Sequence, residues 1–151
     1  MSIQPLAPLM TPCLIVDEAR MMRNIKRLEG HAASLEVPLR PHLKTGKSIE
    51  VARRMLAGGT GSAMVSTLAE AEVFAAAGIR DITYGVGIAL NKLDRVLDLH
   101  RAGCRLTVLV DSAMQARAVA EASAQAGIAI PALIEIDSDG HRSGLVPDDP
   151  E

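Results

Sequence analysis

Two lysines stand close together in the segment PHLKTGKS (residues 41–48), and each suggests a different chemistry. The GKS triplet matches the end of a phosphate-binding loop, which requires another glycine five residues before its own glycine. That position holds Pro41, and proline has a fixed φ and no N–H group with which to bind an anion. The sequence therefore argues against a nucleotide-hydrolysing enzyme, and Lys44 is the lysine that needs an explanation.

Lys44 ends an extended, proline-containing run, VPLRPHLK (37–44), and His42 precedes it by two residues. Alternate residues of a strand point to the same side, so we expect His42 and Lys44 to share one face. In a partly dry cavity, desolvation favours the neutral amine, which can attack a carbonyl carbon. Lys44 is therefore a candidate for covalent catalysis, or else a solvated surface lysine. His42 is a candidate proton carrier or cofactor contact, or else a structural histidine.

Two further candidates lie near the ends of predicted strands. Arg142 belongs to a loop with two glycines, SDGHRSGL (138–145), and its permanently charged guanidinium suits an oxyanion or a phenolate. Its alternative role is an ion pair with Asp137 or Asp139. Tyr84 is the only tyrosine, and its phenol could reach a ligand from a strand end, with a position in the core as the alternative.

Other kinds of catalytic site find no support in the sequence. No cluster of side chains has metal-ligand spacing, and the nucleophile pattern G-x-S-x-G is missing. Cys13 and Cys104 are the only cysteines, both in apolar runs, and we expect both to be buried as small hydrophobic residues.

Short β-branched runs alternate with amphipathic segments along the chain. This alternation predicts strands at 12–17, 37–44, 62–67, 81–87, 105–111 and 131–137, and helices at 17–35, 47–56, 67–78, 91–102 and 112–127. Asp17 and Thr67 occupy helix-capping positions, and Glu70 completes a capping box with Thr67. Repeated strand–helix units predict right-handed crossovers and an all-parallel sheet.

Two parallel folds compete, an open doubly wound sheet and a (β/α)₈ TIM barrel. The dinucleotide-binding pattern G-x-G-x-x-G does not follow the first predicted strand, and GVG at 85–87 is too short to replace it. Polar residues collect where strands end, which favours a barrel because its strand ends converge on one mouth; they are His42, Lys44, Ser66, Thr67, Tyr84, Asp111, Asp137, His141 and Arg142. We therefore expect an α/β fold, a (β/α)₈ TIM barrel of which residues 1–151 supply about five βα units.

Composition limits the partners of the protein. The chain has 151 residues, of which 48% are hydrophobic, so it can form one packed domain. A net charge of -2, the lack of a basic block and only 1% aromatic residues argue against nucleic acid and anionic membranes. Without a secretory signal or an apolar run of membrane-spanning length, we expect a soluble, cytoplasmic protein.

Four segments together resemble a known family. They are TPCLIVDEARMMRNI, RPHLKTGKS, VSTLAEAEVFAAAGIRDITYGVG and IEIDSDGHRSGL, and they extend from Thr11 to Leu145. This combination is similar to the alanine racemase N-terminal-like, fold-type III enzymes that use pyridoxal 5'-phosphate, and within them to the D-threonine aldolase and D-serine dehydratase branch. One departure is Gly46, where many members of the branch carry histidine.

The resemblance implies a (β/α)₈ barrel followed by a separate β-rich domain, so the remaining barrel strands and that second domain are expected outside residues 1–151. It implies pyridoxal 5'-phosphate held as a Schiff base on Lys44, with Arg142 near its phenolic oxygen and His42 beside its ring. Tyr84 is added to these as a candidate cofactor contact.

The expected activity is that of a lyase acting on a D-amino acid, of the D-threonine aldolase or D-serine dehydratase type. An amino-acid racemase and a non-catalytic carrier of the cofactor are the alternatives. The resemblance also implies a homodimer and a divalent metal in the full-length protein, bound by ligands outside this chain. Residues 1–151 alone are expected to show weak turnover or none.

Overall fold

The computed structural model describes residue 6 and residues 8–147, which form five α-helices and a four-stranded parallel sheet. The helices are α1 (Glu18–Ser34), α2 (Ile49–Leu56), α3 (Leu68–Ala76), α4 (Leu93–Arg101) and α5 (Ala113–Ala126). The strands are β1 (Ser62–Val65), β2 (Asp81–Gly87), β3 (Arg105–Val110) and β4 (Ala132–Ile134). One 3₁₀ turn, Leu90–Lys92, precedes α4.

The sheet has the strand order β1-β2-β3-β4, with every neighbouring pair parallel. A helix follows each of the first three strands, which confirms the predicted βα rhythm. Ile82 and Leu106 occupy one row across the sheet and are fully buried, and they share one core with Phe74 of α3 and Val96 of α4. The helices therefore cover one face of the sheet, as crossover connections require.

Local sequence signals fix where the helices begin. Four of them start after a residue whose side chain accepts the backbone N–H three positions later, the usual arrangement of an N-cap. These capping residues are Asp17, Ser48, Thr67 and Ser112. The two predicted caps and the predicted capping box at Thr67 and Glu70 are confirmed.

The strand predicted at 12–17 is wrong for the described residues. The segment is extended in part but pairs with no described strand, and Leu14 is fully exposed. Cys13 is exposed for the same reason, against the prediction that it is buried, whereas Cys104 is buried as predicted. A β-branched apolar run favours a strand only where a neighbour accepts its backbone bonds, and the described residues supply none.

The strand predicted at 37–44 shortens to a single bridge between His42 and Met64. Pro38 and Pro41 have no N–H to donate, so a longer ladder cannot form here. The helix predicted from Lys47 begins two residues later, at Ile49, because Lys47 has a φ of 42°. In the described part of the chain, no helix is long and apolar enough to cross a membrane.

Candidate active site

A tight turn carries Lys44 at the C-terminal end of the sheet. Its first residue, Leu43, is buried and donates its N–H to the Met64 carbonyl at 2.8 Å, which ties the turn to β1. The Leu43 carbonyl accepts the N–H of Lys47 at 3.0 Å, so residues 43–47 close one helical turn. Backbone hydrogen bonds therefore set the position of Lys44 along the sheet.

The imidazole of His42 joins this turn to the end of β1. Its Nδ1 accepts the backbone N–H of Lys44 at 3.2 Å, and its Nε2 lies 3.3 Å from the Ser66 hydroxyl oxygen. Because Nδ1 is an acceptor, the neutral ring carries its proton on Nε2 and donates it to Ser66. Burial lowers the pKa of His42 below its usual range and the positive charge of Lys44 lowers it further, against a smaller opposing effect of Glu70. His42 is therefore a neutral ring, held at both nitrogens, at neutral pH.

Glu70 organises the connection between β1 and α3. Its Oε2 accepts the N–H groups of Ser66 at 2.8 Å and Thr67 at 3.2 Å, while its Oε1 lies 3.2 Å from the Lys47 ammonium. Burial raises the pKa of Glu70, but the Ser66 N–H and the Lys47 ammonium outweigh burial and hold that pKa below its usual range. An ionised carboxylate thus links the turn that carries Lys44 to the start of α3.

Two glycines form the C-terminal end of β2. The pairing of β2 with β3 shifts register between Thr83 and Gly87, which marks a bulge. A Cβ atom at Gly85 would lie 3.0 Å from the sulfur of Met64, and one at Gly87 would lie 3.0 Å from a carboxylate oxygen of Asp111. The neighbours leave little room for side chains at Gly85 and Gly87, so only backbone is present at these two positions, while Val86 between them is exposed.

A single carboxylate shapes the loop that carries Arg142. Asp137 is buried, and its oxygens accept the N–H groups of Asp139 at 3.4 Å, Gly140 at 3.0 Å and Arg142 at 3.0 Å. Burial raises the pKa of Asp137, but the backbone donors, first that of Arg142, outweigh burial and hold it below its usual range. The Arg142 side chain is exposed, and within residues 8–147 it makes neither of the ion pairs considered from the sequence.

Gly144 closes the same loop against the end of β4. Ile136 and Leu145 form a bridge, in which the Leu145 N–H donates to the Glu135 carbonyl at 2.8 Å. Gly144 has a φ of 117°, and a Cβ atom there would lie 2.8 Å from the Asp137 nitrogen. Only glycine fits this close approach of two backbone segments.

The structure brings His42 and Lys44 together but not Arg142. His42 lies beside β1 and Arg142 follows β4, so the two are at opposite edges of the sheet. In a flat sheet four strand spacings would separate these edges by about 19 Å, and only barrel curvature turns them toward one mouth. Lys44 is exposed, in contrast to the expected poorly hydrated amine, because no described strand or loop covers it.

Tyr84 lies in the core rather than at the strand end where a ligand contact was expected. It is 1% exposed and pairs with Val65, and both belong to the core between the sheet and the helices. Its phenol oxygen accepts a hydrogen bond from the Lys92 ammonium at 2.8 Å. Alternation along β2 thus directs the ring to the face opposite Thr83, which the sequence pattern alone could not decide.

Two residues have a larger role than the sequence suggested. Ser66 was named from the sequence only as one of the polar residues near strand ends, but its hydroxyl contacts the ring of His42. Lys47 was set aside with the phosphate-loop pattern, but it forms the ion pair with Glu70. A capping box beside a predicted strand end was the only local signal for this network. Among the described residues, no group of three or more His, Cys, Asp or Glu side chains could hold a metal ion.

Comparison with known proteins identifies the family. Residues 16–151 match the family described as alanine racemase, N-terminal domain, and the chain belongs to it. The resemblance noted in the sequence and the fold expected from it, a partial α/β barrel of this type, are confirmed.

Named relatives give the branch of this family. The chain is 47% identical over 139 residues to D-threo-3-hydroxyaspartate dehydratase of Delftia sp. (strain HT23), covering 92% of this chain and 37% of the relative. The solved structure of that Delftia enzyme superposes with a TM-score of 0.90 over 94% of this chain and 38% of that one, at 46% identity. D-threonine aldolase of Arthrobacter sp is 37% identical over 147 residues, covering 95% of this chain and 38% of the relative. The chain thus spans well under half the length of these relatives.

Proposed function

We propose that the protein is a pyridoxal-phosphate-dependent lyase acting on a D-amino acid, with Lys44 as the residue that holds the cofactor. The observation that carries this proposal is the placement of Lys44 at the C-terminal end of a parallel sheet, where its backbone N–H donates to the ring of a neutral histidine. In barrels of parallel strands this end carries the active site. The family and its named relatives, a dehydratase and an aldolase, support the reaction class.

The side chains at this end suit the chemical groups of pyridoxal phosphate. The primary amine of Lys44 can condense with an aldehyde, and the guanidinium of Arg142 suits a phenolate oxygen. The flat, uncharged ring of His42 can lie against an aromatic ring without placing a second charge beside it. The cofactor, when bound, supplies an electron sink for the negative charge that develops at the α-carbon of the substrate.

The remaining steps belong to residues of this chain. Lys44 would hold the cofactor, and its amine, when free, could accept or return a proton at the α-carbon of the substrate. His42 keeps its Nε2 proton directed at Ser66, which fixes the ring plane and the backbone of Lys44 together. Arg142 remains positively charged and favours the ionised form of any oxygen it faces.

The substrate we propose is a D-amino acid with a hydroxyl group on its β-carbon. D-threonine and D-threo-3-hydroxyaspartate, the substrates in the names of the two relatives, both have that group. Cleavage of the α–β carbon bond would make the enzyme an aldolase, and loss of the hydroxyl as water would make it a dehydratase. We further propose that the full-length protein is a cytoplasmic homodimer whose divalent metal, where needed, is held by ligands outside this chain.

Covalent cofactor attachment is tested on the full-length protein. Its absorption spectrum is recorded with pyridoxal phosphate, before and after borohydride reduction, and the modified peptide is mapped by mass spectrometry. We expect the label on Lys44, its complete loss in Lys44→Ala, and no change in Lys26→Ala, which removes an exposed lysine of α1. A label that survives in Lys44→Ala would refute the assignment.

The reaction class needs a separate experiment. A panel of D-threonine, D-serine and 3-hydroxy-D-aspartate, with D-alanine added, separates release of an aldehyde, release of ammonia and inversion at the α-carbon. We expect one of the first two products and no inversion, with chelator-treated protein as the test of metal dependence. Inversion alone would make the protein a racemase, and attachment without any turnover would make it a cofactor carrier.

A further inference from the structure

We infer that Lys47, the second lysine of the PHLKTGKS segment, is a positioning residue for Lys44. This inference rests on the proposed function, because what Lys47 positions is the amine that holds the cofactor. Three features lead to it: the backbone conformation of Lys47, its ion pair with Glu70, and the way that pair closes a ring of contacts around Lys44.

The backbone of Lys47 is in a conformation that costs free energy for a residue with a side chain. Its φ of 42° lies in the left-handed region, where glycine or asparagine is usual. The residue ends the helical turn 43–47, a position at which glycine would close the turn without strain. Backbone strain of this kind is often found at functional sites, so the contacts of the Lys47 side chain decide whether it has a role beyond the turn.

The side chain of Lys47 makes such a contact. Its ammonium lies 3.2 Å from Oε1 of Glu70, whose side chain is only 11% exposed. The other oxygen of Glu70 already holds the N–H groups of Ser66 and Thr67, so the carboxylate cannot turn toward another partner without losing them. The ion pair is therefore anchored at one end in a rigid helix start.

The pair completes a closed ring of contacts. Glu70 binds the Ser66 N–H, the Ser66 hydroxyl meets His42 Nε2, and His42 Nδ1 accepts the Lys44 N–H. The ion pair between Glu70 and Lys47, the last residue of the same turn, closes the ring. Without it, the only contact left at the far end of the turn is the Lys47 N–H bond to the Leu43 carbonyl, and we expect the peptide units between Lys44 and Lys47 to rotate more freely. We expect that freedom to spread the Lys44 amine over a wider volume.

The test measures cofactor attachment and thermal unfolding of the cofactor-free, full-length protein. Lys47→Asn tolerates the left-handed backbone but removes the ion pair, whereas Lys47→Arg keeps the charge. Glu70→Gln removes the pair and retains an amide oxygen for the Ser66 N–H. The matched control is Glu36→Asn: Glu36 has a φ of 55°, is exposed, and lies just beyond α1.

We expect Lys47→Asn and Glu70→Gln to slow borohydride-trapped attachment of pyridoxal phosphate at Lys44 by about tenfold or more. The double variant should be no slower than either single variant, because both remove the same contact. Lys47→Arg should stay within about twofold of wild type on the same geometric argument. Glu36→Asn should attach at the wild-type rate. The unfolding midpoint of Lys47→Asn should be unchanged or higher, since backbone strain is relieved.

Other outcomes overturn the inference. Attachment at the wild-type rate in Lys47→Asn shows that the ion pair does not position Lys44, while the proposed function stands. Slower attachment accompanied by a matching fall in the unfolding midpoint shows a purely structural role. A wild-type protein that takes no cofactor at Lys44 refutes the proposed function and this inference with it.

Discussion

Charged side chains at the two ends of the parallel sheet differ in their partners. At the N-terminal end, the Asp81 carboxylate accepts hydrogen bonds from the two terminal nitrogens of the Arg40 guanidinium, at 2.9 and 3.3 Å. It also accepts one from the Ser62 hydroxyl at 3.0 Å. At the C-terminal end, Lys44 and Arg142 make no ion pair with any described carboxylate. Asp81 at the start of the strands is thus paired within the protein, whereas at the other end Lys47 pairs with Glu70 while Lys44 and Arg142 have no described carboxylate partner.

The pKa values of one group at each end, Asp81 and His42, are lowered for different reasons. The Arg40 guanidinium is the main reason that the pKa of Asp81 lies below its usual range, so the negative charge there is stabilised by the protein itself. At the opposite end, burial and the charge of Lys44 lower the pKa of His42, so that side chain stays neutral. The ionised carboxylates at the C-terminal end, Glu70 and Asp137, are stabilised by backbone N–H groups, whereas Asp81 is stabilised mainly by a guanidinium.

The largest expected effect on stability is at the C-terminal end, where Gly144 is needed for the fold. It is therefore an exception to the contrast between the two ends of the sheet. Gly144→Ala forces a Cβ atom against the backbone at Asp137 and should lower the free energy of unfolding by about 3 kcal/mol. Gly140→Ala is the control: Gly140 also has a positive φ, of 71°, but open space around it, and the change should cost about 1 kcal/mol. Urea unfolding of the full-length protein measures both, and equal losses would contradict the role of the close contact.

A smaller effect is expected at the N-terminal end. Asp81→Ala leaves Arg40 and Ser62 without their shared acceptor and should lower the free energy of unfolding by about 1–2 kcal/mol. Cofactor attachment at Lys44 should be unaffected, because the change lies at the other end of the strands. Glu121→Ala, which removes an exposed carboxylate of α5, should change neither quantity. Slower attachment in Asp81→Ala would contradict the expectation that the N-terminal end of the sheet has no effect on cofactor attachment.

Loss of a helix cap allows a finer comparison. Thr67→Ala removes the hydroxyl that accepts the Glu70 N–H and should cost about 1 kcal/mol of stability. Ser112→Ala removes the equivalent cap of α5 and should cost a similar amount. Only Thr67→Ala should also slow cofactor attachment, because Thr67 steadies Glu70 and hence Lys47. If both variants slow attachment equally, the contacts around Glu70 have no special link to Lys44.

The smallest effect concerns pH and His42. Its lowered pKa means that the folded protein binds the imidazole proton less tightly than the unfolded chain does. As the pH falls through the ordinary imidazole range, from about 7.5 to 5.5, the unfolded chain takes up the proton first and stability decreases slightly. Urea midpoints across that range should show this slope in the wild type and a shallower one in His42→Gln. Equal slopes would place the titrating group elsewhere.

Local sequence signals predicted the helices and their caps well. Strands were harder to predict, because they depend on pairing between segments that are distant in the sequence. The capping box at Thr67 and Glu70 is complete within four residues, so the sequence displays it directly. Residues 12–17 have the composition of a strand, yet a strand also needs a partner, which no local pattern supplies. Tyr84 was placed correctly on a strand, but it lies in the middle of β2 and not at its end, and the choice between the two faces of the sheet depends on the helices packed above it.

The candidate site shows the same limit. Lys44, His42 and Arg142 could be proposed because motif and residue chemistry point to them. The contact between Lys47 and Glu70 joins positions 23 residues apart, and only the parallel pairing of His42 with Met64 brings them together. The unusual φ of Lys47 likewise leaves no mark on the sequence, because lysine is common in surface turns.

The buried carboxylate of Asp137 has a consequence for how such a protein can diversify. The Asp137 carboxylate accepts hydrogen bonds from three main-chain N–H groups. Asp137 and the glycines therefore determine most of the backbone path of the loop. Ser138 and His141 could therefore be exchanged in a laboratory library without rebuilding the loop, whereas Asp139 also accepts the His141 N–H at 3.3 Å. If the proposed function holds, exchanging these exposed side chains on a fixed loop backbone would be a way to alter substrate preference.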